Sequence, residues 1–462
     1  MQLTGAWRSH RDAVQRLAAS YRAIPPGSPV RLAKRTSNLF RRRGATTHPG
    51  LDVTGLTGVL EVDPAGRTAE VAGMCTYENL VAATLPHGLT PLVVPQLKTI
   101  TLGGAVSGLG IEATSFRNGL PHESVLELDV LTGAGEIVTT TAGSAHAELF
   151  AGFPNSYGTL GYATRLRIEL EPVRSHITLR HVRFDDLDEL CAAVAQIMAT
   201  RQWDDADVDY LDGVMFSPAE SYLTLGARAD HGGPASDYTG MQIFYRSIQQ
   251  RRHDVLTTHD FLWRWDTDWF WCSAGLGAQH PVIRRLWPAA LRRSDVYWKI
   301  VALATRFDLE NRAEVWRGRP RRERVIQDVE IPLERTAEFL GWFAEHVPIT
   351  PVWLCPLRLR GARDWPLYPL EIDRDYVNVG FWSSVPITSA GTGGDTNRWA
   401  TNRAIEHQVD ALGGHKSLYS DSFYSRAEFD ARYGGERYAA LKARYDPDRR
   451  LLDLYAKAVR RR

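Results

Sequence analysis

PQLKTITLGGAVSGLGIEATSFRNG, from Pro95 to Gly119, is the stretch on which the fold turns. Five glycines fall in its last 17 residues: Gly103, Gly104, Gly108, Gly110 and Gly119. Glycine lets backbone N–H groups approach a ligand closely and permits positive φ. Successive N–H groups curled in this way form a nest for an anion. Thr99, Thr101, Ser107 and Ser115 add hydroxyls nearby. A pyrophosphate is the natural guest of such a cradle, and a turn-rich structural loop is the competing reading.

One dinucleotide fingerprint can be tested at once. Gly108-Leu109-Gly110-Ile111-Glu112-Ala113 fits G-x-G-x-x-A, and Asp129 follows at about the spacing that the βαβ fingerprint requires. The context does not fit. That motif belongs between a strand and a long helix, whereas here it leads into a β-hairpin that contains the acidic residue. A doubly wound parallel sheet is therefore rejected.

Outward from the loop, the chain of 462 residues has room for two or three domains, or one large two-lobed enzyme. Hydrophobic residues make up 44% and charged residues 24%, so a sizeable core is available and disorder is excluded as the main state. The net charge of +1 argues against a nucleic-acid binder driven by bulk charge. Cys75, Cys191, Cys272 and Cys355 are widely spread, which suits reduced thiols and offers no zinc-ribbon spacing. No metal site is expected. The N-terminus lacks the apolar region of a signal peptide, and no run approaches 18 apolar residues. A cytoplasmic protein is expected, with a peripheral place on the inner membrane face if its substrate is a lipid.

Periodicity divides the chain. Trp7 to Arg22 reads as an amphipathic helix, with Ala6, Val14, Leu17, Ala18 and Tyr21 near helical spacing, and the proline-rich run from Ile24 stops it. A basic loop from Arg31 to Arg43 holds six Lys or Arg and no acid. Hairpins are predicted for VLEVD–TAEVAG and VLELDVLT–EIVTT, with short helices at TYENLVAATLP and HAELFAGF. TRLRIELEPV alternates, with Leu166, Ile168 and Leu170 on one face and Arg165, Arg167 and Glu169 on the other. After Pro172 the texture changes: FDDLDELCAAVAQIMAT is a helix capped near Asp185 or Asp186. VEIPLERTAEFLGWFAEHV is a strand running into a helix, DYVNVGFW a strand, and RWATNRAIEHQVDALGG a helix with a glycine stop. Residues 426–459 read as largely helical. The expected division is 1–29, an N-terminal helical segment; 30–175; 176–400; and 401–462.

The order of these pieces around P-x(5)-T-x-GG-x(3)-G-x-G-x(4)-S-x(3)-G, followed by a strand pair and S-Y-G-T-L-G, resembles a known family. It is similar to the FAD-binding domain of the superfamily of vanillyl-alcohol oxidase and p-cresol methylhydroxylase. Within that superfamily, GG-x(3)-G-x-GIE-x(2)-S and Gly158-Thr159-Leu160-Gly161 look most like the Diminuto-like 24-dehydrocholesterol reductases. The segment GGHKSLYSDSFYSRAEFDARYGGERY resembles the closing segment of that branch. The resemblance implies an α+β protein. A two-subdomain FAD-binding domain of the p-cresol methylhydroxylase type would occupy 30–175. An α+β substrate (cap) domain would occupy 176–400, and 401–462 would return to the FAD domain.

It also implies residue roles. Gly103, Gly104, Gly108 and Gly110 would wrap the FAD pyrophosphate. Gln96, Thr99, Thr101, Glu112, Ser115, Asn118, Gly119 and His122 would contact phosphates, ribose or the isoalloxazine. Gly158, Thr159 and Gly161 would meet the flavin or its adenosine half. Arg35, Thr36, Ser37 and Asn38 stand where many relatives have a glycine-rich phosphate loop, and this chain departs from the pattern there. It also lacks the histidine that anchors flavin covalently in some relatives, so non-covalent FAD is expected.

On the substrate side, FLWRWDTDWFWCSAGLGAQHPVIRRLW holds Phe261, Trp263, Trp265, Trp269, Phe270, Trp271 and Trp287. Three readings compete: domain-interface core, the wall of an apolar substrate pocket, and a membrane-surface patch backed by Arg284, Arg285, Arg292 and Arg293. Arg358 is a candidate for holding a carboxylate or phosphate. His415, Lys416, Tyr419, Asp421 and Tyr424 in the closing segment are candidate acid–base residues, together with Glu112.

Three functions follow. The first is an FAD-dependent, NADPH-driven reductase of a lipid carbon–carbon double bond. Similarity to actinobacterial oxidoreductases that convert 10-methylene to 10-methyl acyl chains points to a methylene-branched fatty acyl substrate, such as a phospholipid-bound chain at the membrane surface, and a sterol side chain is the alternative. The second is an alcohol or sugar-lactone oxidase on the same fold. The third is a non-catalytic scaffold or partner of a lipid methyltransferase. No nucleic-acid partner is expected.

Overall fold

The computed structural model describes residues 5–34, 40–41, 50–387 and 399–459. Its strands form two antiparallel sheets, each drawing its strands mainly from one stretch of the chain.

The first sheet holds β1 (Val59–Asp63), β2 (Thr68–Ala72), β3 (Leu89–Pro91), β4 (Val125–Thr132), β5 (Ile137–Thr140) and β6 (Gly161–Pro172). Its order is β1-β2-β6-β4-β5, with β3 also paired to β6. The two hairpins read from the sequence are β1–β2 and β4–β5. In β6 the alternation holds for Leu166, Ile168 and Leu170, which are buried. Arg165 departs from it: it is buried on the expected polar face, 2.7 Å from Asp129 and 2.6 Å from Glu70. Carboxylates on both neighbouring strands supply the partners that an enclosed guanidinium requires.

The second sheet begins after only Val173 to Ser175, with β7 (His176–Phe184). The small hairpin β8 (Gln202–Trp203) and β9 (Ala206–Asp207) stands apart from it. The sheet continues with β10 (Tyr210–Ser217), β11 (Glu220–Ala229), β12 (His253–Thr257), β13 (Arg322–Pro332), β14 (Val352–Leu357), β15 (Tyr376–Pro386) and β16 (His415–Lys416). The order is β12-β7-β11-β10-β14-β15-β13-β16.

Period-2 alternation gives this sheet two apolar faces. Val325, Val329, Val377, Val379, Phe381 and Leu354 pack beneath the helices Leu187–Thr200, Leu333–His346 and Ala400–Ala411. The opposite face, with Trp353, Cys355, Leu357 and Tyr376, joins the core of the first sheet. The helix Leu187–Thr200 starts where its cap was read: Asp186 accepts from the N–H of Asp188 at 2.8 Å and of Glu189 at 3.0 Å.

The C-terminal residues meet both sheets. β16 pairs with β13, while Lys442 Nζ, on the helix Gly435–Tyr445, donates to the Thr159 carbonyl at 2.7 Å. The N-terminal helix Gly5–Ala23 buries His10, Ala13, Leu17 and Tyr21, so its inner stripe passes beside Val14 and Ala18.

The glycine stretch differs from expectation in two ways. Residues Leu102–Gly108 form a short helix, with Thr101 Oγ1 accepting from the Gly104 N–H at 3.2 Å. Of the five glycines only Gly119 has a positive φ, +67°, and the other left-handed position in the stretch is Leu109 at +63°. The glycines are needed here mainly for close approach. A Cβ on Gly103 would lie 2.6 Å from the Gly73 carbonyl oxygen.

Candidate functional site

A cavity of about 670 Å³ opens between the two sheets. Its first wall is the glycine stretch, with Thr101, Gly103, Gly104, Gly108 and Gly110, joined by Gln96, Gly158, Gly161 and Tyr157. Gly158 has φ +75°, a conformation in which a side chain is strained.

Cations gather at this end. Arg31, Lys34, Arg41 and Lys457 line the cavity, against Asp328 as the one lining carboxylate among the described residues. Lys34 Nζ is 3.0 Å from Thr101 Oγ1. The Arg41 guanidinium lies 4.5 Å from the Tyr157 ring centroid and donates to the Lys457 carbonyl at 3.0 Å. Lys457 in turn donates to the Tyr157 carbonyl.

The far end is aromatic. Trp269 and Phe270 come from the tryptophan-rich segment, Trp353 from β14, Trp382 from β15 and Tyr419 from the C-terminal residues. The Phe270 ring centroid lies 4.4 Å from that of Trp382, tilted against it, and 5.4 Å from that of Trp353, edge-on. Trp382 Nε1 donates to the Tyr419 hydroxyl at 2.8 Å. Asp328, on β13, faces the same space. Its register partner is Gly380, where a Cβ would collide with Asp328 Oδ1. Among the described residues, Oδ1 of this carboxyl has no hydrogen-bond partner. Burial, only partly offset by the nearby Asn378 amide and Tyr419 hydroxyl, pushes the carboxyl pKa up to about 7. Two residues on, Glu330 is also raised by burial and by Asp328, and takes hydrogen bonds from Tyr368 and from Ser417 at 3.1 Å.

Beside the cavity lies a charged lock. Arg264, fully buried, donates to Glu112 at 3.0 Å and to Asp212 at 2.7 Å. Trp265 Nε1 also donates to Asp212, at 3.1 Å. Burial raises Glu112 to about 7 despite its arginine.

The expected site residues are distributed as follows. Gln96, Thr101, Gly103, Gly104, Gly108, Gly110, Gly158, Gly161, Trp269 and Tyr419 line the cavity. Thr99 immediately precedes the lining residue Ile100. Glu112 belongs to the lock, and its backbone N–H donates to Ser115 Oγ at 3.0 Å. Asn118 Nδ2 donates to the Leu92 carbonyl at 2.8 Å. Gly119 lies against Glu123 and Arg360. Thr159 donates to the Ser156 carbonyl at 2.7 Å. His122 packs edge-on to Trp365, and among the described residues neither of its ring nitrogens has a hydrogen-bond partner. Arg35, Thr36, Ser37 and Asn38 lie outside the described residues.

Among the substrate candidates, Trp263, Trp265 and Trp271 are buried around the lock and the aromatic cluster. The Arg358 guanidinium is turned to Asp375 instead of the cavity, with Nη2 2.8 Å from Oδ2. Lys416 is fully buried and paired with Glu406 at 2.6 Å. His415, whose ring lies near Tyr368, has its pKa pushed down by burial to about 4.

Sequence reasoning missed Asp328, Trp353, Trp382, Lys34, Arg41, Tyr157 and Lys457. For Asp328 a signal existed. In VIQDVEIP the odd positions Val325, Val329 and Ile331 are apolar, so Asp328 and Glu330 share the opposite face of one strand.

The residues present fit a flavin dinucleotide. Lys34, Arg41 and Lys457 supply positive charge beside the glycines, as a diphosphate requires. The aromatic end suits a flat ring system and an apolar substrate. Among the described residues no three His, Cys, Asp or Glu side chains gather as a metal site.

The comparisons agree. An FAD binding domain family matches residues 11–141. The chain carries that FAD binding domain and is an FAD-dependent oxidoreductase of mixed helix and sheet, similar to proteins of the FAD-binding oxidoreductase superfamily. Within that class it is similar to Delta(24)-sterol reductases. The human enzyme is 22% identical over 409 residues, covering 86% of this chain and 75% of the relative. That of Arabidopsis thaliana is 22% identical, covering 90% and 77%. The homolog from Caenorhabditis elegans is 24% identical, covering 88% and 78%. Cytokinin dehydrogenase 2 of Oryza sativa subsp. japonica is 38% identical over 125 residues, covering 27% of this chain and 22% of that protein.

Proposed function

We propose that the chain reduces an isolated carbon–carbon double bond in a lipid, converting a methylene-branched fatty acyl chain to its methyl-branched form with NADPH as electron donor. The observation that carries this reading is the pairing of a cavity-facing acid, Asp328, with the aromatic box of Trp269, Phe270, Trp353 and Trp382 in one cavity. Lys34, Arg41 and Lys457 would hold the FAD diphosphate, with Thr101 and the glycines close to it. When bound and reduced, FAD supplies the hydride.

An unpolarised alkene accepts hydride only after protonation. Asp328 holds a proton near neutrality and faces the cavity. Transfer of that proton to the methylene carbon leaves a tertiary cation on the branch carbon. Indole faces stabilise such a cation by about 0.5–2 kcal/mol each. The proton and the hydride together complete the C–C single bond, and Asp328 then regains a proton from water. The buried aromatic walls keep water from capturing the cation.

A sterol side-chain alkene is the second reading. The same chemistry applies, and the similarity to Delta(24)-sterol reductases across most of the chain supports it.

The test is anaerobic. FAD-loaded protein should bleach near 450 nm on addition of NADPH, in the range where oxidised flavins absorb (about 450 nm). The colour should return on addition of phospholipid carrying a 10-methylene acyl chain, with the 10-methyl chain as product. Return only with a Δ24 sterol would select the second reading. Colour that NADPH cannot remove would exclude both.

A further inference from the structure

Between β12 and β13 the chain makes a helical insertion whose outer face is apolar. Its helices are Pro281–Leu286, Ser294–Arg306 and Leu309–Trp316. Among the described residues, ten of the fifteen exposed large hydrophobics lie in residues 282–316. Leu286 is 78% exposed and Trp316 86%. On the second helix Ile300, Leu303 and, at its end, Phe307 follow i, i+3, i+7 spacing and share a face. The third helix buries no residue, although Leu309 and Trp316 fall on one side of it.

The charge of the same segment is one-sided. Residues 281–321 carry ten Lys and Arg against four Asp and Glu, in a chain whose total balance is +1. Arg285, Arg306, Arg312, Arg317, Arg319 and Arg321 are exposed. Exposed leucine, phenylalanine and tryptophan bordered by arginine match the two layers of an anionic bilayer surface: acyl chains below, phosphates above.

The inner side of this insertion is fixed to the enzyme. Tyr297, on the second helix, is fully buried in a cluster with Trp269, a wall of the cavity. Arg293 pairs with Glu78 at 2.8 Å, and Ser294 donates to Asp266 at 2.6 Å.

We propose that the outer face of residues 281–321 is a docking surface for an anionic lipid bilayer, which brings the cavity side of the enzyme to the membrane. The proposal does not depend on the identity of the substrate, and its test uses no turnover.

FAD-loaded full-length protein is floated on a density gradient with vesicles of phosphatidylcholine alone, or of phosphatidylcholine with phosphatidylglycerol. Binding is expected with the anionic vesicles and should weaken as salt rises. Phe307→Glu with Trp316→Glu should lower partitioning roughly tenfold or more. Arg317→Glu with Arg319→Glu should do the same on anionic vesicles alone. Both variants should retain wild-type flavin content and thermal midpoint, because the altered side chains are exposed. Wild-type protein that stays at the bottom of the gradient with anionic vesicles would overturn the proposal, as would variants that float equally well. A protein that is dimeric by light scattering and becomes monomeric in the Phe307/Trp316 variant, without vesicle binding, would assign the face to a second copy instead.

Discussion

Arg264 Nη2 stands 3.0 Å from Glu112 Oε1, and that contact ties the end of the glycine stretch to the tryptophan-rich segment. The same nitrogen reaches Asp212 on β10 at 2.7 Å. One guanidinium thus balances two buried carboxylates drawn from distant parts of the chain. Arg264→Met should leave both acids enclosed without a cation and cost about 3–5 kcal/mol. Differential scanning calorimetry should find a lowered midpoint, partly restored by adding Asp212→Asn. An unchanged midpoint in the single variant would show that the lock contributes nothing.

Asp328 faces the cavity with a carboxyl raised to about 7. As the proton donor it works only when protonated, so the rate of flavin reoxidation by substrate should be high below pH 6 and fall as pH rises through 7. Asp328→Asn should lower that rate by about 10²–10⁴ and flatten the pH profile. Flavin reduction by NADPH should be unaffected. Stopped-flow traces of the two half-reactions separate these effects.

The same raised carboxyl affects folding. Its folded-state value lies above its unfolded value near 3.8. Its contribution to stability is therefore fully present below pH 3.8 and is lost as pH rises through about 7. Asp328→Asn should be relatively more stable than wild type at pH 8 than at pH 5, as read from thermal midpoints at the two values.

Gly103 approaches the Gly73 carbonyl so closely that a Cβ would stand 2.6 Å from the oxygen and 3.2 Å from the Ala163 methyl. Backbone must move to admit it. Gly103→Ala should cost about 1–3 kcal/mol and lower the flavin-to-protein ratio of purified material. Gly143→Ala, where nothing lies within 4 Å, is the control and should retain full flavin.

Lys34 and Lys457 flank the glycine wall. Lys34→Ala should weaken FAD binding about tenfold, the effect of losing about 1.4 kcal/mol. Fluorescence titration of apoprotein with FAD should also show a shallower dependence on salt than in wild type.

Local patterns carried much of this structure. The alternation in TRLRIELEPV marked β6, and the cap at Asp186 marked the start of the helix Leu187–Thr200. Of the ten expected site residues that line the cavity, six come from the glycine stretch, which is continuous in sequence. The rest of the site was less legible because long-range sheet register assembles it. Trp353 and Trp382 are isolated aromatics in separate strands, brought together only by the pairing of β14 with β15. Asn118 and Arg358 are polar residues whose partners, the Leu92 carbonyl and Asp375, lie elsewhere in the chain and turn them into struts. Local spacing cannot distinguish a strut from a ligand contact.

Ser417, Tyr419, Ala456 and Lys457 are walls of the cavity, although the glycine stretch, Pro95 to Gly119, lies far earlier in the chain. A nascent chain on the ribosome therefore exposes its glycine wall long before the opposite wall exists. Cofactor capture has to be a late event in biogenesis, and the half-made protein depends on other means to shield its tryptophans until its last helices emerge.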